Sequence, residues 1–129
     1  MHQIQIEPTY KTPGVIFDPL NGDFQIQGSS ILVDVEEFYS PLLKWMDEFV
    51  KKKPTEKVRF IFDIEYVNVA STKRFLFFLY KLVLLKEEGV EIEIDWLHLD
   101  NDKYIKEVGE DLSQMLELPF NIKSYSKSA

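Results

Sequence analysis

Alternation of apolar and polar residues in three segments constrains the fold of this chain more than any other feature. Residues 23–27, 58–66 and 90–96 place an apolar side chain at every second position, which is the period of a strand with one buried face. The other positions carry mostly polar side chains: Gln25, Gln27, Arg59, Asp63, Glu65, Glu91, Glu93 and Asp95. A parallel sheet covered on both faces would have near-continuous apolar strands. The pattern therefore predicts an α/β two-layer sandwich, a mixed sheet with helices on one face.

In the middle segment the inward positions are expected to run from Val58 to Tyr66. Further short strands are predicted at residues 4–6, 14–18 and 120–122. The pair Asn21-Gly22 lies between residues 14–18 and 23–27 and is typical of a tight hairpin turn.

Three helices are predicted in addition to the strands. The first follows Asp34, which has Glu37 at the spacing of a capping box. Pro41 either kinks this helix or marks its true first turn, with Ser40 as the cap. The second helix spans residues 71–88 and is the most apolar of the three. The third spans about residues 102–116, with Tyr104, Ile105, Val108, Leu112 and Met115 expected to point inward.

Length and composition favour a soluble single domain. The 129 residues suffice for one core, so we expect one domain over residues 1–129 with a polar tail from about residue 123. Cysteine is absent, which excludes disulfides and thiolate chemistry. The net charge of -7 argues against nucleic acid as a partner. The N-terminus lacks the pattern of a signal peptide, and the longest apolar run is too short for a membrane span, so we predict a cytoplasmic protein.

The segment from Tyr66 to Arg74 joins the middle strand to the second helix and contains two hydroxyl side chains, Ser71 and Thr72. A helix start exposes unpaired backbone N–H groups and the positive end of the helix dipole. A hydroxyl at this place is a good helix cap, and it is also a place where an added phosphate is stabilised. Both interpretations, a plain cap and a phosphoacceptor, remain open at this point.

The outer side of the second helix combines apolar and cationic residues. Phe77 and Leu84 share it with Lys73, Arg74 and Lys81, whereas a simple amphipathic helix would be polar there. Either the third helix or the tail covers the apolar pair, or the pair forms a contact with another protein. A homodimer through the same side is the alternative to a regulatory partner.

The sequence offers little support for an enzyme. The carboxylates of the polar sheet face are typical of a solvated face, and a metal site would need a compact loop of oxygen ligands. His98 is in phase with the inward residues of its strand and lacks a nucleophile beside it. No phosphate-binding loop, zinc motif or serine-elbow spacing occurs. We expect no catalytic residue, no metal and no cofactor.

The order and spacing of several short motifs resemble the SiaC family of bacterial regulatory phosphoproteins. The similarity runs from about residue 9 to residue 122. It depends on residues 12–18, 28–30, 38–45, 66–68, 107–111 and 118–120, together with Ser71, Lys73 and Trp96. The resemblance implies a STAS-like fold and a non-catalytic partner-switching protein. It also implies three protein partners: a Ser/Thr kinase, a PP2C-type phosphatase, and a diguanylate cyclase that the unmodified form activates.

The chain departs from the family pattern at the implied phosphorylation site. The threonine expected as acceptor is Val69 here, and the next serine is Ala70. A Pro-Glu-Asn element reads Leu32-Val33-Asp34 instead. Ser71 and Thr72 are therefore the remaining acceptor candidates, or the switch is lost. The predicted partner-binding residues are Asn68, Val69, Ala70, Lys73, Arg74, Phe77, Lys81 and Leu84.

Overall fold

The computed structural model describes residues 1–127, which form six strands and three helices. In chain order these are β1 (Ile4–Ile6), β2 (Gly14–Asp18), β3 (Asp23–Ser30), α1 (Val35–Lys51), β4 (Val58–Val67), α2 (Val69–Glu87), β5 (Ile92–Leu99), α3 (Lys103–Leu116) and β6 (Phe120–Tyr125).

The strands form one mixed sheet in sequential order from β1 to β6. The pairs β1–β2 and β2–β3 are antiparallel, and the pairs from β3 to β6 are parallel. Each parallel pair is joined through one helix. Because such crossovers share one hand and the strands follow in order, all three helices lie on the same face. The predicted two-layer sandwich with a mixed sheet is confirmed.

The core lies between the sheet and the helices and is rich in aromatic rings. On the central strand β4, Phe62 packs on Phe75 of α2 with ring centroids 5.1 Å apart. Phe75 in turn contacts Trp96 of β5 at 6.4 Å. All three side chains are fully buried. Burial of a large apolar side chain stabilises the fold by about 1.5–3 kcal/mol, so each of these three rings contributes substantially to stability.

Asp34 caps helix α1, which continues through Pro41. Asp34 Oδ1 accepts a hydrogen bond from the Glu37 backbone N–H at 3.1 Å, as the capping-box spacing predicts. The alternative of Ser40 as the cap is wrong. Six residues of α1 are buried in the core. Their burial outweighs the roughly 3 kcal/mol that a proline costs inside a helix.

Three residues predicted to point inward are exposed: Tyr66, Tyr104 and Met115. The correction at Tyr66 has a clear cause. Gly28 of β3 pairs with Ile64, but the next residue, Ser29, pairs with Tyr66. Glu65 is therefore an extra residue in β4, a β-bulge, and the alternation reverses after it. Val67 is buried in place of Tyr66.

The last strand runs to Tyr125, three residues further than predicted, so the beginning of the expected polar tail belongs to the sheet. Residues 128 and 129 of that tail lie outside the described residues. No helix within residues 1–127 is long and apolar enough to cross a membrane.

Candidate functional site

Asn68 ties three segments together at the start of α2. Its Oδ1 accepts from the Ser71 backbone N–H at 2.9 Å, which caps the helix. Its Nδ2 donates to the carbonyl of Leu32, in the loop before α1, also at 2.9 Å. Its backbone N–H donates to the Ser30 carbonyl at the end of β3, at 3.1 Å. The helix therefore begins at Val69, two residues earlier than predicted, and the loop beside it is held in place.

The hydroxyl of Ser71 points into the core. Ser30 Oγ donates to Ser71 Oγ at 2.7 Å. Because Ser30 has a single hydroxyl proton, the Tyr39 hydroxyl is the donor in its 2.6 Å contact with Ser30. All three residues are fully buried, and burial raises the pKa of Tyr39, so its hydroxyl keeps the proton. This chain of hydroxyls connects α1, β3 and α2 below the surface.

Thr72, the second candidate phosphoacceptor, is half-buried. Its Oγ1 donates to the Asn68 carbonyl at 3.1 Å, one turn back in the helix. Ser71 has no exposed surface and Thr72 only part of its own. The structure therefore distinguishes two neighbouring hydroxyls that the sequence could not.

An exposed surface surrounds the start of α2, and we call it the junction surface. It consists of Val33, Tyr66, Val69, Ala70 and Lys73, all exposed. Val69 is 81% exposed and Tyr66 is 65% exposed. Scattered apolar residues on a surface are ordinary, but here three lie around one fixed loop. Of the predicted partner-binding residues, Val69, Ala70 and Lys73 belong to this surface.

Arg74, Phe77 and Lys81 instead lie toward α1. The Arg74 guanidinium stands 5.5 Å over the Phe77 ring and 3.6 Å from Glu36 of α1. Lys81 pairs with Asp47 of α1. Phe77 is half-buried, with the Arg74 guanidinium over its ring. These three predicted residues thus lie at the boundary between α1 and α2.

Leu84, the last predicted partner-binding residue, is 54% exposed further along α2. Tyr80 is exposed one turn before it. Tyr80 was missed by sequence reasoning, although its spacing of four residues from Leu84 is that of helix neighbours on one side. The two form a smaller apolar patch apart from the junction surface.

A shallow cleft of about 340 Å³ opens on the α3 side of the junction surface. Its walls include Tyr66, Tyr104 and Ile31, with the acidic residues Glu65 and Asp102 beside them. Tyr66 and Tyr104 are two of the three residues that sequence reasoning placed in the core. Their hydroxyl groups, which favour a partly wet position, are the signal that could have indicated otherwise.

On the polar face of the sheet, acidic side chains pair with basic side chains of the same face. Lys57 and Arg59 both pair with Glu93, at 2.6 Å and 3.2 Å, and hold the pKa of Glu93 below its usual value. Tyr125 donates a hydrogen bond to Asp63 at 2.9 Å. Within residues 1–127 no group of three or more acidic or histidine side chains could hold a metal ion.

His98 is buried at the end of β5, as predicted. Its Nδ1 lies 2.7 Å from the backbone carbonyl oxygen of Leu99.

Several solved structures share this fold. The crystal structure of apo-SiaC from Pseudomonas aeruginosa matches with a TM-score of 0.84 and 21% identity, covering 95% of this chain and 99% of that one. A second SiaC structure from that organism matches with a TM-score of 0.85 and 22% identity, covering 97% and 100%. A third match is in the crystal structure of the diguanylate cyclase SiaD in complex with its activator SiaC from Pseudomonas aeruginosa. Its TM-score is 0.86 and its sequence identity is 20%, and the match covers 95% of this chain and 99% of that one.

At this level of identity the structural matches establish the fold alone. No curated protein matches the sequence. The model of a family described as SiaC family regulatory phosphoprotein matches residues 6–125, which is nearly the whole chain. The chain therefore belongs to the SiaC family of regulatory phosphoproteins.

Proposed function

We propose that this protein is a non-catalytic cytoplasmic binding protein whose junction surface engages and activates a diguanylate cyclase. The observation that carries the proposal is the exposure of Val33, Tyr66 and Val69 around one rigid loop. Family membership supports a regulatory role. A Pseudomonas aeruginosa protein of the same fold is described as the activator of a diguanylate cyclase, which supports this class of partner. The proposal requires no cofactor and no metal.

The junction surface is suited to tight binding because it is already ordered. Asn68 fixes the loop before α1 and the start of α2 with three hydrogen bonds. A preorganised surface loses less conformational entropy when a partner docks. Exposed apolar and aromatic side chains at the centre of a contact supply most of its binding energy.

We infer that phosphate does not switch this surface. Val69, the acceptor position implied by the resemblance, has no hydroxyl. A phosphate on Ser71 would bring roughly two negative charges into a fully buried site. The Ser/Thr kinase and the PP2C-type phosphatase would therefore act in this chain only through Thr72, whose hydroxyl is engaged in the helix. We expect phosphopeptide mass spectrometry over residues 67–81 to find no phosphate in any growth condition. Phosphate on Thr72 would contradict this inference.

The test of the proposed surface compares two charged variants in a cyclase assay. The protein is mixed with a diguanylate cyclase from the same genome, and cyclic di-GMP formed from GTP is measured. Val69→Asp should abolish activation and weaken binding about 30-fold, the effect of losing a hot-spot residue worth about 2 kcal/mol. The variant should fold normally, because Val69 is exposed and an acid in the first turn is favourable.

Leu20→Asp is the matched control. Leu20 is 87% exposed in the turn between β2 and β3. That turn lies at the opposite end of the sheet, since Asp23 pairs with the start of β4 and Ser30 with its end. The control should activate like the unmodified protein. Equal activation by both variants would rule out the junction surface.

A homodimer remains the second candidate because Tyr80 and Leu84 form an exposed patch on α2. Light scattering over a dilution series distinguishes a homodimer from a monomer that binds a separate partner. A dimer through this patch would have twice the monomer mass and would dissociate in Leu84→Glu. A monomer at all concentrations would exclude it.

A further inference from the structure

The cleft beside the junction surface has the composition of a site for a cationic side chain. Tyr66 and Tyr104 both line it, and both are more than half exposed. Aromatic faces attract cations through the negative charge of their π-systems. Glu65 and Asp102 line the same cleft and carry carboxylates. We propose that this cleft receives an arginine side chain of the protein partner, with its guanidinium against the tyrosine rings and paired with the carboxylates.

The inference rests on the proposed function, because it names the chemistry of the partner at the same surface. Tyr66 belongs to the junction surface and to the cleft, so one partner can contact both. The cleft volume of about 340 Å³ is at the lower end of the range for small-ligand pockets, about 300–1,000 Å³. It has room for one long side chain.

The protein itself already places a cation beside Glu65, one of the residues that line the cleft. Lys127 Nζ lies 3.5 Å from Glu65 Oε1, and its side chain is 72% exposed. Exposed ion pairs of this kind are weak and exchange readily. A guanidinium that also stacks on an aromatic ring should displace Lys127 from Glu65, because it is planar and presents paired donors.

Both carboxylates are positioned by the fold. Glu65 is the extra residue of the bulge in β4, which turns Tyr66 outward next to it. Asp102 caps α3 through Oδ1, which accepts from the Ile105 backbone N–H at 3.0 Å. Its second carboxylate oxygen carries further acceptor positions. Tyr104 follows two residues later in the first turn of α3.

The experiment uses ¹⁵N-labelled full-length protein and two small probes. N-acetyl-arginine amide carries the guanidinium, and N-acetyl-citrulline amide has the same shape without charge. In ¹H–¹⁵N spectra we expect concentration-dependent shifts around Glu65, Tyr66 and Tyr104 with the arginine probe only. Equal shifts with both probes, shifts confined to other regions, or none would overturn the proposal.

Three variants sharpen the result. Tyr104→Ala should lose the arginine-induced shifts at residues 65 and 66, whereas Tyr80→Ala, an exposed tyrosine of α2, should keep them. Lys127→Ala should bind the arginine probe about two- to fivefold more tightly, because the competing cation is gone. No gain in affinity would show that Glu65 does not contact the guanidinium.

Cyclase activation separates this proposal from the proposed function. If the unmodified protein activates the cyclase but ignores the arginine probe, the cleft inference alone fails. If it binds the probe but activates no cyclase, the proposed function alone fails. If both hold, Tyr104→Ala should reduce activation, and full activation by that variant would contradict the role of the cleft in partner binding.

Discussion

A methyl group added at Gly109 tests the packing of α3 on the sheet. Gly109 is buried in α3, and a Cβ built there would lie 2.4 Å from Cδ1 and 2.5 Å from Nε1 of Trp96. The Trp96 ring is fully buried, donates to the Ile105 carbonyl at 2.9 Å, and touches Phe62 and Phe120. The ring therefore has no open space into which it can move.

Two opposing effects determine whether Gly109→Ala raises or lowers the free energy of unfolding. Alanine is favoured over glycine inside a helix by about 1 kcal/mol. Overpacking a core costs about 1–3 kcal/mol, and weakening the hydrogen bond of Trp96 adds about 1 kcal/mol. We expect a net loss of about 2 kcal/mol in the free energy of unfolding. For a chain of this size the melting temperature should fall by roughly 8 °C.

The assay is urea unfolding followed by circular dichroism. Glu110→Ala, at an exposed position of the same helix, is the control and should change stability by less than about 0.5 kcal/mol. In a Trp96→Leu background the smaller side chain should remove most of the penalty for Gly109→Ala. Unchanged or increased stability of Gly109→Ala in the unmodified background would refute the packing argument.

Two further predictions concern stability. Asn68→Ala should lose about 2 kcal/mol of unfolding free energy, because the cap of α2 and the bond to the Leu32 carbonyl disappear together; calorimetry checks this, and a loss below about 0.5 kcal/mol would contradict it. For Tyr125, burial and then the bond to Asp63 raise the pKa to about 12, so stability present below the ordinary pKa near 10 should fall as pH rises from about 10 to 12. Between about pH 10 and 12 the melting temperature of Tyr125→Phe should fall less steeply with pH than that of the unmodified protein. Parallel curves of melting temperature against pH would refute the linkage.

The architecture was predictable because it depends on local periodicity. Alternation in residues 58–64 marks one buried face, and the burial along β4 agrees. In β5, Ile94 and Trp96 are buried as the pattern predicts, but Asp95 on the polar face is buried as well. The capping of α1 by Asp34 follows from two residues three positions apart. Such signals are carried by neighbours in the chain, so no knowledge of the fold is needed to interpret them.

The candidate site was predictable only in part. The sequence points to the segment around Asn68, but its apolar periodicity predicts Tyr66 and Tyr104 in the core. The outward turn of Tyr66 follows from a β-bulge. The bulge is a shift in the register between β3 and β4, so it exists only once the two strands pair. Tyr104 lies in the first turn of α3 and is exposed, although Val108, four residues later on the same side of the helix, packs against the core. Neither outcome is visible in the spacing of apolar residues.

The sequence by itself determined the sheet, the helices and the family, since alternation, capping residues and ordered motifs are properties of the chain. It also determined that Val69 has no hydroxyl to phosphorylate. Only the tertiary structure decided that Ser71 is buried while Val69 is exposed, and that Arg74 and Lys81 pair with α1. The physical reason is that exposure and pairing depend on which distant segments pack against a residue, and local order does not specify them.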